Sequence, residues 1–213
     1  MNEKLPKACK TDLNKAAEDL SIELSEQQQL ALLDYLSLLI KWNKAYNLTA
    51  VRDPLAMTHR HLIDALSIVP LVPENRLIDV GTGAGIPGII LAILRPQQEI
   101  TLLDSNGKKT RFLQQVKMQM KLDNVEVLQS RVEGYSPSPL FDTIVSRAFT
   151  ALDNMVNLTQ HLSSKSGKIL AMKGTYPEPN QQPLPQPWVV QNVQPLVVPF
   201  VDEQRHLVTI GRN

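Results

Sequence analysis

The stretch LIDVGTGAGIPG, residues 77–88, decides the fold class of this chain. It begins as an apolar strand that contains one acid, Asp79, and continues with four glycines within eight positions. Glycines tolerate backbone conformations that other residues avoid, and they let a ligand approach the main chain closely. An apolar strand that leads through such a loop into a helix is typical of nucleotide-binding α/β proteins.

The apolar pattern after this loop continues an α/β arrangement. Further runs of strand length are EITLLD, VEVLQS, FDTIVS and GKILAMK, and helical stretches at about 86–95 and 106–121 separate the first three strands. This alternation predicts a parallel sheet that is covered on both faces. Two final runs, WVVQNVQPLVVPF and RHLVTIGR, have no helix between them and predict an antiparallel finish. The proline-rich segment PEPNQQPLPQP, residues 177–187, predicts an exposed loop.

The first 70 or so residues predict helices instead of strands. We expect Thr11 to cap a short amphipathic helix over residues 11–20. Ser25 and Gln28 form a capping-box pattern before a longer apolar helix. Pro54 is expected to open a third helix, which the prolines near residue 70 end.

Composition limits the number of domains and the classes of partner. The 213 residues suffice for one α/β core with an appendage, and we divide them into a helical N-terminal extension, residues 1–73, and an α/β domain, residues 74–213. The 22 Lys and Arg residues nearly balance the 21 Asp and Glu residues, so any nucleic-acid partner must be bound by a local basic patch.

The sequence also predicts a reduced cytoplasmic protein without a membrane partner. The single cysteine, Cys9, cannot form an internal disulfide. No apolar stretch approaches the roughly 20 residues that span a bilayer. The charged first ten residues lack the apolar run of a signal peptide, so we expect no secretion signal.

Two ligands are compatible with the glycine loop. Residues 83–88 match G-x-G-x-x-G, and Asp104 follows near the distance of the ribose-binding acid, as in NAD-binding proteins. However, Asp79 adds negative charge beside the loop and Pro87 lacks an N–H, and both features disfavour a pyrophosphate. S-adenosylmethionine carries a sulfonium and an ammonium, which suit a carboxylate at the strand end. We therefore favour S-adenosylmethionine, while a glycine turn with a purely structural Asp104 remains the alternative.

Later strand ends supply further candidates, because open α/β sheets bind ligands there. Val132 and Glu133 follow VEVLQS and are expected to flank an adenine. Arg147 follows FDTIVS and is expected at the central cleft, although a surface ion pair would also explain it. Among the basic residues, Lys108, Lys109 and Lys173 are candidates for phosphate contacts, with solvated lysines as the alternative reading.

The residues present restrict the methyl acceptor. Methylation of a pyrimidine carbon uses a cysteine nucleophile, and the chain has only Cys9 in its N-terminal segment. Exocyclic-amine methyltransferases carry an Asp/Asn-Pro-Pro-aromatic turn where this chain reads SRAF. A ring nitrogen such as guanine N7 needs alignment rather than a base, so no catalytic residue is assigned. His59 and His61 lack partners with metal-ligand spacing, and we expect no metal.

Several motifs together resemble one family. They are KWNKAYNLTAVRDP, RHLIDALS, IDVGTGAGIPGI, LLDSNGKKTRFL, SRVEGY, VSRAF and MKG. The chain resembles the glucose-inhibited division protein B family of bacterial 16S ribosomal RNA (guanine-N7) methyltransferases from about residue 20 onward. The resemblance implies a class I, Rossmann-like methyltransferase fold: a mostly parallel seven-stranded sheet with an antiparallel C-terminal strand and a helical N-terminal extension. It also implies S-adenosylmethionine as donor, and 16S rRNA in the small subunit or an assembly intermediate as substrate of a monomeric enzyme.

The family's donor contacts fall on five positions of this chain: Gly81, Ile86, Val132, Glu133 and Arg147. To these the glycine pattern adds Gly83 and Asp104. The chain departs from the family pattern at Ala65, where a small polar residue is usual, and at the proline-rich segment, where a helix is usual. Other readings are a class I methyltransferase for a small molecule or protein, or a non-catalytic RNA-interaction module.

Overall fold

A computed structural model describes residues 5–147, 150–176 and 182–213, and it contains one seven-stranded sheet. The helices are α1 (Lys7–Asp19), α2 (Glu26–Tyr46), α3 (Pro54–Met57), α4 (Asp64–Leu66), α5 (Gly88–Leu94), α6 (Gly107–Met120) and α7 (Leu152–Thr159). The strands are β1 (Leu77–Val80), β2 (Ile100–Asp104), β3 (Val125–Gln129), β4 (Phe141–Arg147), β5 (Ser163–Lys173), β6 (Trp188–Leu196) and β7 (Arg205–Arg212).

The strand order is β3-β2-β1-β4-β5-β7-β6, which confirms the predicted mostly parallel sheet with an antiparallel finish. Strands β1 to β5 run parallel, and β7 pairs antiparallel with both β5 and β6. The chain moves outward from β1 to β3 and then returns to place β4 on the other side of β1. This reversal leaves a crevice beyond the carboxyl ends of β1 and β4, where α/β sheets bind ligands.

The predicted N-terminal cap is confirmed for α2 and wrong for α1. The capping box of α2 is confirmed: Ser25 Oγ accepts from Gln28 N at 3.2 Å, and Gln28 Oε1 accepts from Ser25 N at 2.9 Å. The prediction that Thr11 caps the first helix is wrong, because α1 already begins after Pro6. The buried Cys9 extends the apolar face by one turn, so the helix starts earlier.

The third helical segment begins as predicted but has an irregular centre. Asp53 Oδ2 accepts from Ala56 N at 2.7 Å, and Pro54 is the first helical residue. A π-helical turn, Thr58–Ile63, then joins α3 to α4. Such turns insert an extra residue and redirect the following side chains, and they are frequent at functional sites.

Two apolar clusters cover the two faces of the sheet. One cluster joins α1, α2, α5 and α6 to one face, and the other joins α7 and the C-terminal strands to the opposite face. The N-terminal helices therefore share a core with the α/β part, and the boundary after residue 73 stays a prediction. No helix within the described ranges is long and apolar enough to cross a bilayer. Of the predicted proline-rich loop, residues 177–181 lie outside the described residues, and 182–187 form neither helix nor strand.

Candidate active site

The glycine loop, residues 81–88, connects β1 to α5 and requires its glycines. Gly81 and Gly83 have φ angles of 66° and 64°, a left-handed conformation that strains other residues. At Gly88 a Cβ atom would lie 2.2 Å from Leu102 Cδ2 and 2.9 Å from Asp79 Oδ2. The backbone of the loop can fold tightly over β1 only because these side chains are absent.

Asp79 lies beneath the glycine loop and lines neither of the two cavities described below, whereas the sequence suggested a carboxylate beside the loop that faces the ligand. Its Oδ2 accepts from Thr82 Oγ1 at 2.7 Å and from Gly88 N at 2.9 Å, and the side chain is fully buried. Its Oδ1 is buried without a hydrogen-bond partner among the described residues. Burial raises the pKa of this carboxyl to about 6, although the Thr82 and Gly88 hydrogen bonds act in the opposite direction. Asp79 therefore organises the loop from below.

A small cavity of about 410 Å³ lies beside the loop over the ends of β1 and β2. Asp104, Val132 and Glu133 line it, as the sequence predicted. Asp104 Oδ2 accepts from Gly83 N at 2.9 Å, and its Oδ1 accepts from Asn106 N at 2.8 Å. Asp104 therefore has the structural turn role that was the alternative interpretation. Each of its oxygens still has a second lone pair that could accept from a ligand.

A large cavity of about 670 Å³ adjoins the first, and Gly81 and Lys109 line both. Gly83, Ile86, Arg147 and Lys173 line this cavity. The structure therefore gathers the predicted residues of the glycine loop and of the β4 and β5 ends around one crevice.

Three predicted lysines differ in position. Lys109 Nζ lies 3.5 Å from Asp104 Oδ2 where the two cavities meet. Lys173 Nζ donates to the carbonyl oxygen of Thr150 at the rim of the large cavity. Lys108 is exposed and lines neither cavity, so the structure does not bring it to the crevice.

Arg147 makes an ion pair that the sequence did not reveal. Its Nη1 donates to Asp64 Oδ2 at 3.0 Å and to the carbonyl oxygen of Arg60 at 2.9 Å. Asp64 Oδ1 accepts from Arg205 Nε at 2.9 Å. Asp64 is buried, and both arginines line the large cavity. One carboxylate therefore holds two guanidinium groups in the same crevice.

His61 is held as a neutral ring in the wall of the large cavity. Its Nδ1 lies 2.9 Å from the carbonyl oxygen of Arg60 and must donate to it, so in the neutral ring Nε2 accepts from Thr49 Oγ1, also 2.9 Å away. Burial, followed by the positive charge of Arg147, lowers the pKa of His61 to about 4. His61 is therefore a hydrogen-bonded wall residue at neutral pH.

His59 and His61 have separate hydrogen-bond partners. His59 Nε2 lies 2.7 Å from Asp12 Oδ2, whereas His61 contacts Thr49 and the Arg60 carbonyl. Within residues 5–147, 150–176 and 182–213, no group of three or more His, Cys, Asp or Glu side chains could hold a metal ion.

The helical extension supports the glycine loop from its other side. Tyr35 of α2 donates its buried hydroxyl to the carbonyl oxygen of Ala84 at 2.8 Å. Trp42 stacks on Tyr46 at 5.1 Å and packs against Phe112 at 5.8 Å. These aromatic residues lie outside both cavities, in agreement with a structural role, whereas Leu48 and Thr49 of the same motif line the large cavity.

Sequence reasoning missed Asp64, Arg205, Thr49 and His61 as cavity residues. One signal was present for Arg205: an antiparallel strand begins at the edge where its parallel neighbours end. The first residue of β7 therefore had to lie near the ends of the parallel strands. No comparable signal existed for Asp64, whose inward direction depends on the π turn before it.

Comparison with known proteins identifies relatives over nearly the whole chain. The family model described as rRNA small subunit methyltransferase G (GidB) matches residues 28–208. Proteins named Ribosomal RNA small subunit methyltransferase G from Pseudomonas entomophila and Ectopseudomonas mendocina are 52% and 54% identical. Each alignment covers 95% of this chain, and 94% and 95% of the respective relative.

Solved structures support the class I methyltransferase fold that the sequence predicted. A putative methyltransferase from Escherichia coli superposes with a TM-score of 0.52 at 14% identity, over 68% of this chain and 81% of its own. A SAM-dependent methyltransferase from Aquifex aeolicus gives a TM-score of 0.52 at 16% identity, over 69% and 89%. Because the family model matches residues 28–208 and the relatives are 52% and 54% identical, this chain belongs to the rRNA small subunit methyltransferase G (GidB) family.

Proposed function

We propose that this protein transfers a methyl group from S-adenosylmethionine to N7 of a guanine in 16S rRNA of the small ribosomal subunit. One observation carries the proposal: two adjoining cavities share Gly81 of the glycine loop in their lining, and the larger one is also lined by Arg147, Lys173 and Arg205. Two reactants can therefore meet there, and the basic lining suits an RNA acceptor.

The small cavity fits the adenosine half of the donor. Val132 offers an apolar surface for a base, and Glu133 stands at the rim for its polar edge. Asp104 has lone pairs left for ribose hydroxyls. The unpartnered Asp79 oxygen beneath the loop adds negative potential, which favours a cationic donor over a pyrophosphate. These features support S-adenosylmethionine rather than NAD.

The large cavity fits an acceptor whose reacting atom carries no proton. Its titratable groups are already engaged: His61 by Thr49 and the Arg60 carbonyl, and Asp64 by two arginines. The donor supplies a methyl group on a sulfonium, which the lone pair of guanine N7 accepts without a general base. The role of the protein is then to align the acceptor with the donor's methyl group.

Methyl transfer to isolated ribosomal particles tests the proposal. Donor labelled in its methyl group is incubated with small subunits from a strain that lacks this activity, with naked 16S rRNA, and with total soluble small molecules and proteins. We expect label in 16S rRNA as N7-methylguanosine, located by cleavage at the modified base. Label only in protein or small molecules contradicts the RNA substrate, and saturation by NAD without binding of S-adenosylhomocysteine contradicts the donor.

The same experiment compares the assembled particle with naked RNA and therefore shows which one is the substrate. Reaction on a ribosomal particle also implies a cytoplasmic enzyme, in keeping with the free, buried Cys9. We propose that the enzyme is a monomer. Sedimentation at the concentrations of the assay checks this point, and a dimer would contradict it.

A further inference from the structure

The buried carboxylate of Asp64 joins two strand ends that are not neighbours in the sheet. Arg147 ends β4 and Arg205 begins β7, and β5 lies between these strands. Asp64 itself comes from α4, directly after the π turn, and uses one oxygen for each guanidinium. The carboxylate therefore sets the spacing of the two arginines across the crevice.

The two arginines do not depend on Asp64 equally. Arg147 Nη1 keeps a second acceptor, the carbonyl oxygen of Arg60, at 2.9 Å. Arg205 Nε has Asp64, while its Nη1 donates to the carbonyl oxygen of its neighbour Gln204 at 2.9 Å. Within the described part of the chain, Nη2 of neither arginine donates a hydrogen bond. These groups are available to a ligand in the large cavity.

The charges favour an anionic or carbonyl oxygen as that ligand. One carboxylate balances one of the two guanidiniums, so the group keeps a net positive charge, and Lys173 adds another at the rim. Guanidinium groups bind phosphate oxygens and guanine O6 through directed N–H groups. A carboxylate that only neutralised charge would not need to contact both arginines.

We propose that Asp64 is a positioning residue that holds Arg205 beside Arg147, so that Arg205 binds an oxygen of the RNA acceptor during transfer. The inference rests on the proposed function and goes beyond it by assigning Arg205 to the acceptor and Asp64 to its orientation. Asp64 is buried and uses both of its oxygens on the arginines, so it acts through them.

The test separates transfer rate from donor binding. In Asp64→Asn, Arg147 stays attached to the Arg60 carbonyl, while Arg205 loses its charged partner. We expect the single-turnover rate on small subunits to fall about tenfold or more, with the dissociation constant for S-adenosylhomocysteine within about threefold of the parent. Affinity for the particle should stay equal or become tighter, because a negative charge is removed.

Asp12→Asn is the matched control for a purely structural effect. It breaks the 2.7 Å pair with His59, which anchors the same π turn, yet Asp12 lines neither cavity. We expect lower thermal stability with a transfer rate within about twofold of the parent. An equal loss of rate in Asp12→Asn and Asp64→Asn overturns the positioning role.

A second variant, Arg205→Gln, keeps the proposal testable if Asp64→Asn folds poorly, because Asp64 then stays paired with Arg147. If both variants fold, they complete a double-mutant cycle. Arg205→Gln alone should lower the rate about tenfold, and adding Asp64→Asn should then cost less than about threefold. Parental rates in Asp64→Asn or in Arg205→Gln overturn the inference, as does full additivity in the cycle.

A parent protein that transfers no methyl group to the particle contradicts the proposed function instead. The affinity for the particle then decides the inference. Arg205→Gln must weaken it while Asp64→Asn leaves it equal or tighter. Parental affinity in Arg205→Gln, or weaker affinity in Asp64→Asn, overturns the role of Asp64.

Discussion

Asp104 combines an observed structural role with the donor-binding role that we propose for it. Its two oxygens hold the backbone at Gly83 and Asn106 while it lines the small cavity. We expect Asp104→Ala to raise the dissociation constant for S-adenosylhomocysteine at least about tenfold, because a hydrogen bond to a charged group contributes about 1.5 to 3 kcal/mol. Calorimetric titration measures this change.

Asp123→Ala is the control for Asp104→Ala. Asp123 is exposed in the turn before β3 and lines neither cavity. Its removal should leave donor affinity unchanged. If a folded Asp104→Ala protein binds as tightly as the parent, Asp104 is a turn residue only.

His61 gives the folding stability a predictable dependence on pH. The unfolded chain protonates this ring below about pH 6.5, whereas the folded chain keeps it neutral until about pH 4. Its contribution is therefore complete above pH 6.5 and is lost as the pH falls towards 4. Between about pH 7.5 and pH 5, the parent should lose about 2 kcal/mol of unfolding free energy relative to His61→Gln.

Denaturant unfolding of both proteins at the two pH values measures that difference. Asp79, whose pKa is raised, acts in the opposite direction: its stabilising contribution falls as the pH rises from about 4 to about 6. Because Asp79 is present in both proteins, its effect cancels in the comparison. A difference that does not change with pH would mean that folding does not lower the pKa of His61.

At the scale of elements, α2 is connected to the glycine loop by one buried hydroxyl. Tyr35→Phe removes the donor to the Ala84 carbonyl and leaves that oxygen unsatisfied. We expect a loss of about 1 to 3 kcal/mol in unfolding free energy, together with weaker donor binding. Thermal or denaturant unfolding and calorimetry measure the two effects.

Tyr46→Phe makes the same change at the end of the same helix. The Tyr46 ring stacks on Trp42, and its hydroxyl donates no hydrogen bond to the described residues. Parental stability and donor affinity are expected. Equal effects of the two substitutions would mean that the Tyr35 hydroxyl does not support the loop.

For the whole molecule, the near balance of charge makes RNA binding depend on local lysines. The formal net charge is only +1, so each phosphate contact should be visible in the salt dependence of binding. If exposed Lys108 contacts a phosphate, Lys108→Gln reduces the slope of log affinity against log salt by about 0.7 to 0.9. Donor affinity should remain parental, because Lys108 lines neither cavity.

Lys165→Gln is the control. Lys165 is exposed near the start of β5, where the parallel strands begin, and the crevice lies at the other end of these strands. An unchanged slope for Lys108→Gln would identify Lys108 as a solvated lysine. Lys109 is unsuited to charge reversal, because a glutamate there would lie beside Asp104 and disturb the donor site as well.

The sequence alone determined the α/β sheet, the glycine loop and the strand-end residues Asp104, Val132 and Arg147, because periodicity, turn chemistry and strand polarity are local properties. The start of α1 was misjudged since Cys9, an apolar position, was not counted in its pattern. Only the tertiary structure decided that Asp79 lies beneath the loop and that Asp64 meets Arg205, 141 residues away. Such contacts depend on helix packing and on the π turn, which set side-chain directions that no local pattern encodes.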